Sequence, residues 1–241
     1  MQGFLRAAAA RGHDVIPLPP FTAFLDPDDS LRYVNYAIPD ADVEPDADAV
    51  ERLRQAFRGR ARLPRLEWVE EAAPRVAPAL AAAGFEEELR TPLMACAHGD
   101  LRTADADVPG LAVGIVDDPD GLRAGANLQR IAFGSEPLAE DEQPRRPSGG
   151  LVLAHSGSIP VAAAAWTAVV DGISEIVGVA TAEAWRRRGL GGAVTSAAAR
   201  GAFAAGASVC ILSPGDEGAL RVYGRAGFRR VATMLHWSDP A

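Results

Sequence analysis

The sequence predicts a mixed α/β (α+β) fold, and three observations predict it. Apolar and β-branched runs bounded by turn residues alternate with Ala-rich stretches of helical spacing. With 241 residues, 48% hydrophobic and 23% charged, the chain has the composition of a globular protein with material for a sizeable core. The same order of elements (strand, strand, helix, strand, helix, Gly-Phe, strand) also occurs twice, 143 residues apart. That spacing lays residues 32–38 on 175–181, 65–69 on 208–212, and Gly84-Phe85 on Gly227-Phe228. A repeat of this length implies two similar lobes rather than a solenoid.

In the first part, residues 21–25 and 32–38 read as strands, separated by the turn-forming Asp26-Pro27-Asp28-Asp29-Ser30. An acidic stretch at 39–48 leads into a helix over 49–58, and 65–69 is a short strand. Residues 73–83 are helical up to Gly84, a residue suited to a left-handed C-cap, and 87–96 form another strand. In the second part, 118–133 is expected to be helical, followed by a Pro-, Glu- and Ser-rich loop at 134–150. Residues 151–155 and 161–170 form a hairpin turned by Ser156-Gly157-Ser158, and 175–181 is the next strand. A long Ala-rich helix over 191–205 ends at Gly206, with a strand at 208–212, a helix at 217–226 and a last strand at 229–237. The expected domains are 1–97 and 98–241.

Composition excludes several chemistries. All 24 basic residues are Arg, so no lysine is present for a Schiff base or a Walker-type phosphate clamp. A net charge of -8 argues against a nucleic-acid partner. Cys96, Cys210 and the four scattered histidines show no metal-ligand spacing, so no metal is expected. The longest apolar run, 159–170, is too short to span a bilayer, and the N-terminal stretch reaches Arg11 too soon for a secretory h-region. A cytoplasmic protein with no membrane partner is the expectation.

The most informative segment runs from Val177 to Ala193, where a strand enters Arg186-x-x-Gly189-x-Gly191 and then a helix. Glycines at a helix start let the backbone approach a ligand, and the free N–H groups of the first turn make an anion site. Arg186, Arg187 and Arg188 at a positive dipole end are unfavourable alone, by about 0.3–1 kcal/mol per charge, and an anionic ligand resolves the conflict. Further on come Ser213-Pro-Gly-Asp216 and Ala219-x-x-Val222-Tyr223-x-x-Ala226-Gly227-Phe228.

This combination resembles the GCN5-related N-acetyltransferase (GNAT) superfamily, whose signature is a Q/R-x-x-G-x-G/A loop after a strand, then a helix, a strand, and a helix with a tyrosine before Gly-Phe. The resemblance covers about residues 100–237. It implies a GNAT fold, with a mixed, mostly antiparallel central sheet flanked by helices, plus a partial GNAT-like N-terminal lobe. In that first lobe the loop position falls on the acidic Val43-Glu-Pro-Asp46-Ala-Asp48 and the tyrosine position on Leu80. An acidic loop repels a pyrophosphate, so the first copy is expected to be truncated and non-catalytic.

The resemblance further implies acetyl transfer from acetyl-CoA, as cosubstrate, to a primary amine of a small or amino-acid-like molecule. Backbone groups of Val179, Ala180 and Thr181 would pair with the cofactor as an added strand, and the Val179 N–H would face the thioester oxygen. Arg186, Arg187, Arg188, Gly189, Leu190, Gly191 and Gly192 would hold the pyrophosphate. Asp216 either touches the cofactor or caps the helix that follows. Tyr223 is the expected acid. Glu175 is the expected base, on the argument that strand alternation puts its side chain on the same face as Val179. Trp166, Asp171, His236 and the loop 134–150 are the residues that could surround the acceptor. Two other readings stay open: a non-catalytic acyl-CoA-binding sensor and a peptide or protein N-terminal acetyltransferase. A homodimer is also left open.

Overall fold

The computed structural model describes residues 2–27 and 32–240. Along the chain it contains α1 (Gln2–Ala9), β1 (Asp14–Leu18), β2 (Phe21–Leu25), β3 (Tyr36–Pro39), α2 (Ala47–Arg58), β4 (Arg65–Val69), α3 (Val76–Ala82) and β5 (Glu86–Ala97). There follow β6 (Leu111–Val116), α4 (Pro119–Ala132), β7 (Gly150–Ser156), β8 (Ile159–Trp166), β9 (Ile173–Thr181), α5 (Leu190–Ala204), β10 (Val209–Leu212), α6 (Glu217–Arg225) and β11 (Arg229–Ser238).

The chain divides into two compact units, Met1–Leu93 with Val231–Ala241, and Met94–Arg230. This division differs from the expected one at 97/98, and the strand pairing gives the reason. Within the first unit β11 lies antiparallel to β4, with Met234 opposite Val69 and Ser238 opposite Arg65. Within the second unit the end of β5 lies antiparallel to β10, with Met94 opposite Leu212 and Ala97 opposite Val209. The strand closing each sequence repeat thus completes the sheet of the other unit, which sequence order alone conceals.

In the first unit the strands run in the order β1-β2-β3-β4-β11, antiparallel except for the parallel step from β3 to β4. Val50, Leu53 and Phe57 form the apolar stripe of α2 and pack with Phe21, Trp68 and Leu80. In the second unit the order is β6-β7-β8-β9-β10, antiparallel except for β9 with β10. Alternation along β7 and β8 sends Leu151, Leu153, Ala163 and Ala165 to the α4 face and Val152, Ala154, Ala162 and Ala164 to the α5 face. Small residues let α5 lie close to the sheet. At Gly201 a Cβ would stand 2.8 Å from the Trp166 ring.

Three elements were not expected: α1, β1 and β6. β1 carries Pro17 and β6 is exposed along most of its length, so neither has the alternation of a half-buried strand. The expected strand at 32–38 is a 3-10 turn at Arg32–Val34 followed by β3. The expected strand at 161–170 ends at Trp166, before a turn whose Asp171 and Gly172 have φ of 50° and 74°. Part of the expected turn at 26–30, residues 28–30, lies outside the described residues. Among the described residues, no helix is long and apolar enough to cross a membrane, and no group of three or more His, Cys, Asp or Glu is placed to hold a metal ion.

Cys96 and Cys210 are buried, free, and directly opposite one another on β5 and β10. Burial raises the first thiol from 9.0 to about 11, with Asp100 adding to it, and raises the second to about 12. The folded state therefore disfavours both thiolates, so this stability is complete below pH 9 and is lost as pH rises through 11 to 12. Urea midpoints are expected to fall between pH 8.5 and 10.5, and less so in a Cys96→Ala/Cys210→Ala variant. Equal pH dependence in the two proteins would contradict this.

Candidate active site

The strand β9 leaves the sheet through a 3-10 turn, Glu183–Trp185, and the chain then reverses into α5. Arg187 and Gly189 take φ of 64° and 83°. Gly189 is the N-cap of α5 and offers no side-chain cap, and the first intrahelical bond runs from Ala193 N–H to its carbonyl at 3.1 Å. Helix geometry therefore leaves the N–H groups of Leu190, Gly191 and Gly192 without intrahelical acceptors. Glycine is required at 189 twice over, for its left-handed φ and because a Cβ would stand 2.4 Å from the Asp105 carbonyl oxygen. At Gly191 a Cβ would meet nothing nearer than 3.8 Å, so a small side chain has room there. The Asp107 N–H donates to the Arg188 carbonyl at 3.1 Å and ties the bend down.

Over this bend lies a cavity of about 480 Å³, lined by Thr181, Arg187, Gly191, Gly192, Arg221 and Arg225 among others. A second cavity, about 410 Å³, is lined by Phe133, Val179, Thr181, Asp216 and Tyr223 and shares Thr181, Arg186, Arg187 and Gly191 with the first. Arg188 lines a third with Arg186, Arg187 and Glu183. Among the described residues, none of Arg186, Arg187, Arg188, Arg221 or Arg225 forms a salt bridge. Arg186 donates weakly to the Thr181 carbonyl at 3.5 Å, and Arg188 lies over the Trp185 ring at 5.0 Å. Asp105 is the carboxylate on the wall of the first cavity. Five guanidiniums and three amides without intrahelical acceptors therefore surround connected space.

The strand itself supplies a second feature. β9 pairs with β10 only from Ile173 to Glu175, whereas on its other side it follows β8 as far as Thr181. Beyond Glu175 its main chain on the β10 side has no strand partner. Opposite β8 it carries a bulge: Ala165 faces Val177 and Ala163 faces Ala180, leaving Gly178 and Val179 against Ala164. Gly178 has φ of 61°, and its carbonyl accepts from Gln129 Nε2 at 2.7 Å.

The bulge corrects the argument made for Glu175. An extra residue reverses the alternation, so Val177 and Ala180 lie on the α4 face while Ile176 and Val179 pack with the α5 cluster. Glu175 shares the face of Val177, not that of Val179. It is half-buried, its N–H and carbonyl are both bonded to Thr167, and it lines none of these cavities. Trp166 is buried against Gly149, Gly150 and Gly201, and His236 belongs to the first unit, beside Glu67. Neither lines the cavities. The loop 134–149 is tied to α4, with Arg123 donating to the Ala139 and Glu140 carbonyls and Arg130 to that of Glu136.

Tyr223, on α6, lies 8% exposed on the wall of the second cavity, and its hydroxyl has no hydrogen-bond partner among the described residues. Burial, then the charge of Asp216, pushes it up to about 12, so it keeps its proton at neutral pH. Asp216 caps α6, accepting from the Ala219 N–H at 2.7 Å, while also lining the cavity. Leu190 buries its side chain, so only its N–H faces the bend. Arg221, Arg225, Gln129 and Gly178 escaped sequence reasoning. The signal for the first two was their i, i+4 spacing on the helix that carries Tyr223. The other two are joined by a contact across 49 residues, which no local pattern reports.

The site is thus a mixed sheet splayed beside an uncapped, arginine-ringed helix start. Comparison with known proteins shows which family shares this fold. The FR47-like protein family matches residues 153–237. A GCN5-related N-acetyltransferase from Kribbella flavida is 33% identical, with 100% of this chain and 94% of that one covered and a TM-score of 0.85. A GCN5-related N-acetyltransferase from Sphaerobacter thermophilus shares the fold at 17% identity, covering 91% and 76% of the two chains, with a TM-score of 0.66. A tandem GNAT protein from the clavulanic acid biosynthesis pathway shares it at 11% identity, covering 90% and 77%, with a TM-score of 0.61. No curated protein matches the sequence. The chain belongs to the GCN5-related N-acetyltransferase family.

Gly189→Ala is expected to lower the unfolding free energy by at least ~1 kcal/mol, the cost of a left-handed non-glycine residue, with the clash at Asp105 added. Gly191→Ala is expected to leave stability within about 0.5 kcal/mol. Thermal melts of the two variants check the contrast, and equal losses would contradict it.

Proposed function

We propose that the protein transfers an acetyl group from acetyl-CoA to a primary amine of a small or amino-acid-like molecule. The observation carrying this reading is the set of five guanidiniums without carboxylate partners among the described residues, gathered with helix amides that lack intrahelical acceptors at the end of a splayed strand. Coenzyme A combines a pyrophosphate with an extended diamide arm, and this reading gives each a counterpart here. The pyrophosphate rests on the amides of Leu190, Gly191 and Gly192, with Arg186, Arg187 and Arg188 as side-chain partners. The arm lies along the unpaired edge of β9 at Val179, Ala180 and Thr181.

The transfer forms a nitrogen–carbon bond and breaks a carbon–sulfur bond. The Val179 N–H stabilises the thioester oxygen as it turns negative. Tyr223 protonates the departing thiolate, a role suited to a phenol still protonated at neutral pH. Glu175, three residues ahead of the bulge and on the α4 face, is the base of this reading and takes the amine proton through intervening waters.

An amine panel with acetyl-CoA, read as free thiol, is expected to identify acceptors. With the best of them Tyr223→Phe is expected to lower kcat by about 10²-fold while leaving CoA affinity unchanged. Glu175→Gln is expected to lower kcat and flatten the acidic limb of the pH profile. Full activity in Tyr223→Phe, or an unaltered profile in Glu175→Gln, removes that residue from the mechanism. Because Tyr223 titrates only near about 12, it is expected to impose no basic limb below pH 10.

A further inference from the structure

We infer that Gln129 is a positioning residue that aims the Val179 amide at the reacting carbonyl; the inference rests on the acetyl-CoA reading above. Gln129 lies in the last two turns of α4, and its Nε2 donates to the Gly178 carbonyl at 2.7 Å. It holds the carbonyl of one of the two residues that the bulge sets against Ala164. A trans peptide points its C=O and N–H in opposite directions, so fixing the Gly178 oxygen toward α4 turns the Val179 N–H to the other side. Val179 and Tyr223 line the same cavity, so an amide turned away from α4 there meets the space the thioester would occupy.

Glycine at 178 makes the pin necessary and the pin makes glycine necessary. Its φ of 61° comes without steric penalty, so the peptide has no side chain to hold its orientation. A Cβ there would stand 2.3 Å from Gln129 Nε2, so the amide occupies the space that any other residue would need. Gln129 touches neither the acetyl group nor the phosphate site. It acts through the backbone.

The test needs no acceptor. Calorimetry compares acetyl-CoA with S-ethyl-CoA, a thioether of similar shape that lacks the carbonyl. The wild type is expected to prefer acetyl-CoA by about five-fold, the worth of one hydrogen bond. In Gln129→Leu the preference is expected to fall to about one while the S-ethyl-CoA affinity stays within about two-fold. Gln129→Glu gives a second readout within one protein. At pH 8 its carboxylate cannot donate and the preference is expected to be lost, whereas at pH 4, below the ordinary glutamate range, the largely protonated acid donates and restores it. A wild type that binds both ligands equally, a Gln129→Leu variant that keeps the preference, or a Gln129→Glu preference independent of pH overturns the inference. A wild type that binds neither ligand overturns the acetyl-CoA reading beneath it.

Discussion

The left-handed turn at Gly189 is the constraint on which the site depends. It lets the chain leave β9 and enter α5 while pressed against the Asp105 carbonyl, and it starts the helix without a side chain to satisfy its first amides. Charge then compounds the vacancy, since Arg186 to Arg188 precede that positive helix end and Arg221 and Arg225 face it from α6. At about 0.3–1 kcal/mol per charge, three arginines at a helix start oppose folding by a noticeable part of a net stability of about 5–15 kcal/mol. A bound polyanion reverses the sign of each of those contributions.

The first unit shows the alternative. The same 143-residue spacing that lays Leu190 on Ala47 lays Gly189 on Asp46, and each pair holds the same place at its helix start. Asp46 accepts from the Ala49 N–H at 2.7 Å, so α2 is capped by its own carboxylate where α5 is left open. One residue separates a helix end capped by its own side chain from one left uncapped. The bulge at Gly178 also shapes the site, because the extra residue sends Glu175 and Val179 to opposite faces.

What could be read in the sequence follows the range of the interactions involved. The helices over 47–58, 119–132 and 190–204 announce themselves through caps, glycine stops and periodicity, which act within a few residues. The glycine-containing bend before α5 was legible for the same reason, since its glycines and arginines are contiguous. The exchange of closing strands was not, because β11 seeks β4 across more than 160 residues of chain and has the same alternation whichever strand it joins. A bulge leaves a weak trace in an Ala- and Val-rich strand. Gly178 could as well be a plain strand glycine until Gln129 is seen to meet it. Edge strands such as β6 lack the buried face that makes alternation visible.

The most direct test of the central claim is a crystal structure with coenzyme A bound. The account predicts pyrophosphate oxygens about 3 Å from the main-chain nitrogens of Leu190, Gly191 and Gly192, with the pantetheine arm alongside Val179 to Thr181. Coenzyme A lodged elsewhere, or a bend whose amides are taken up by the protein itself, would contradict it.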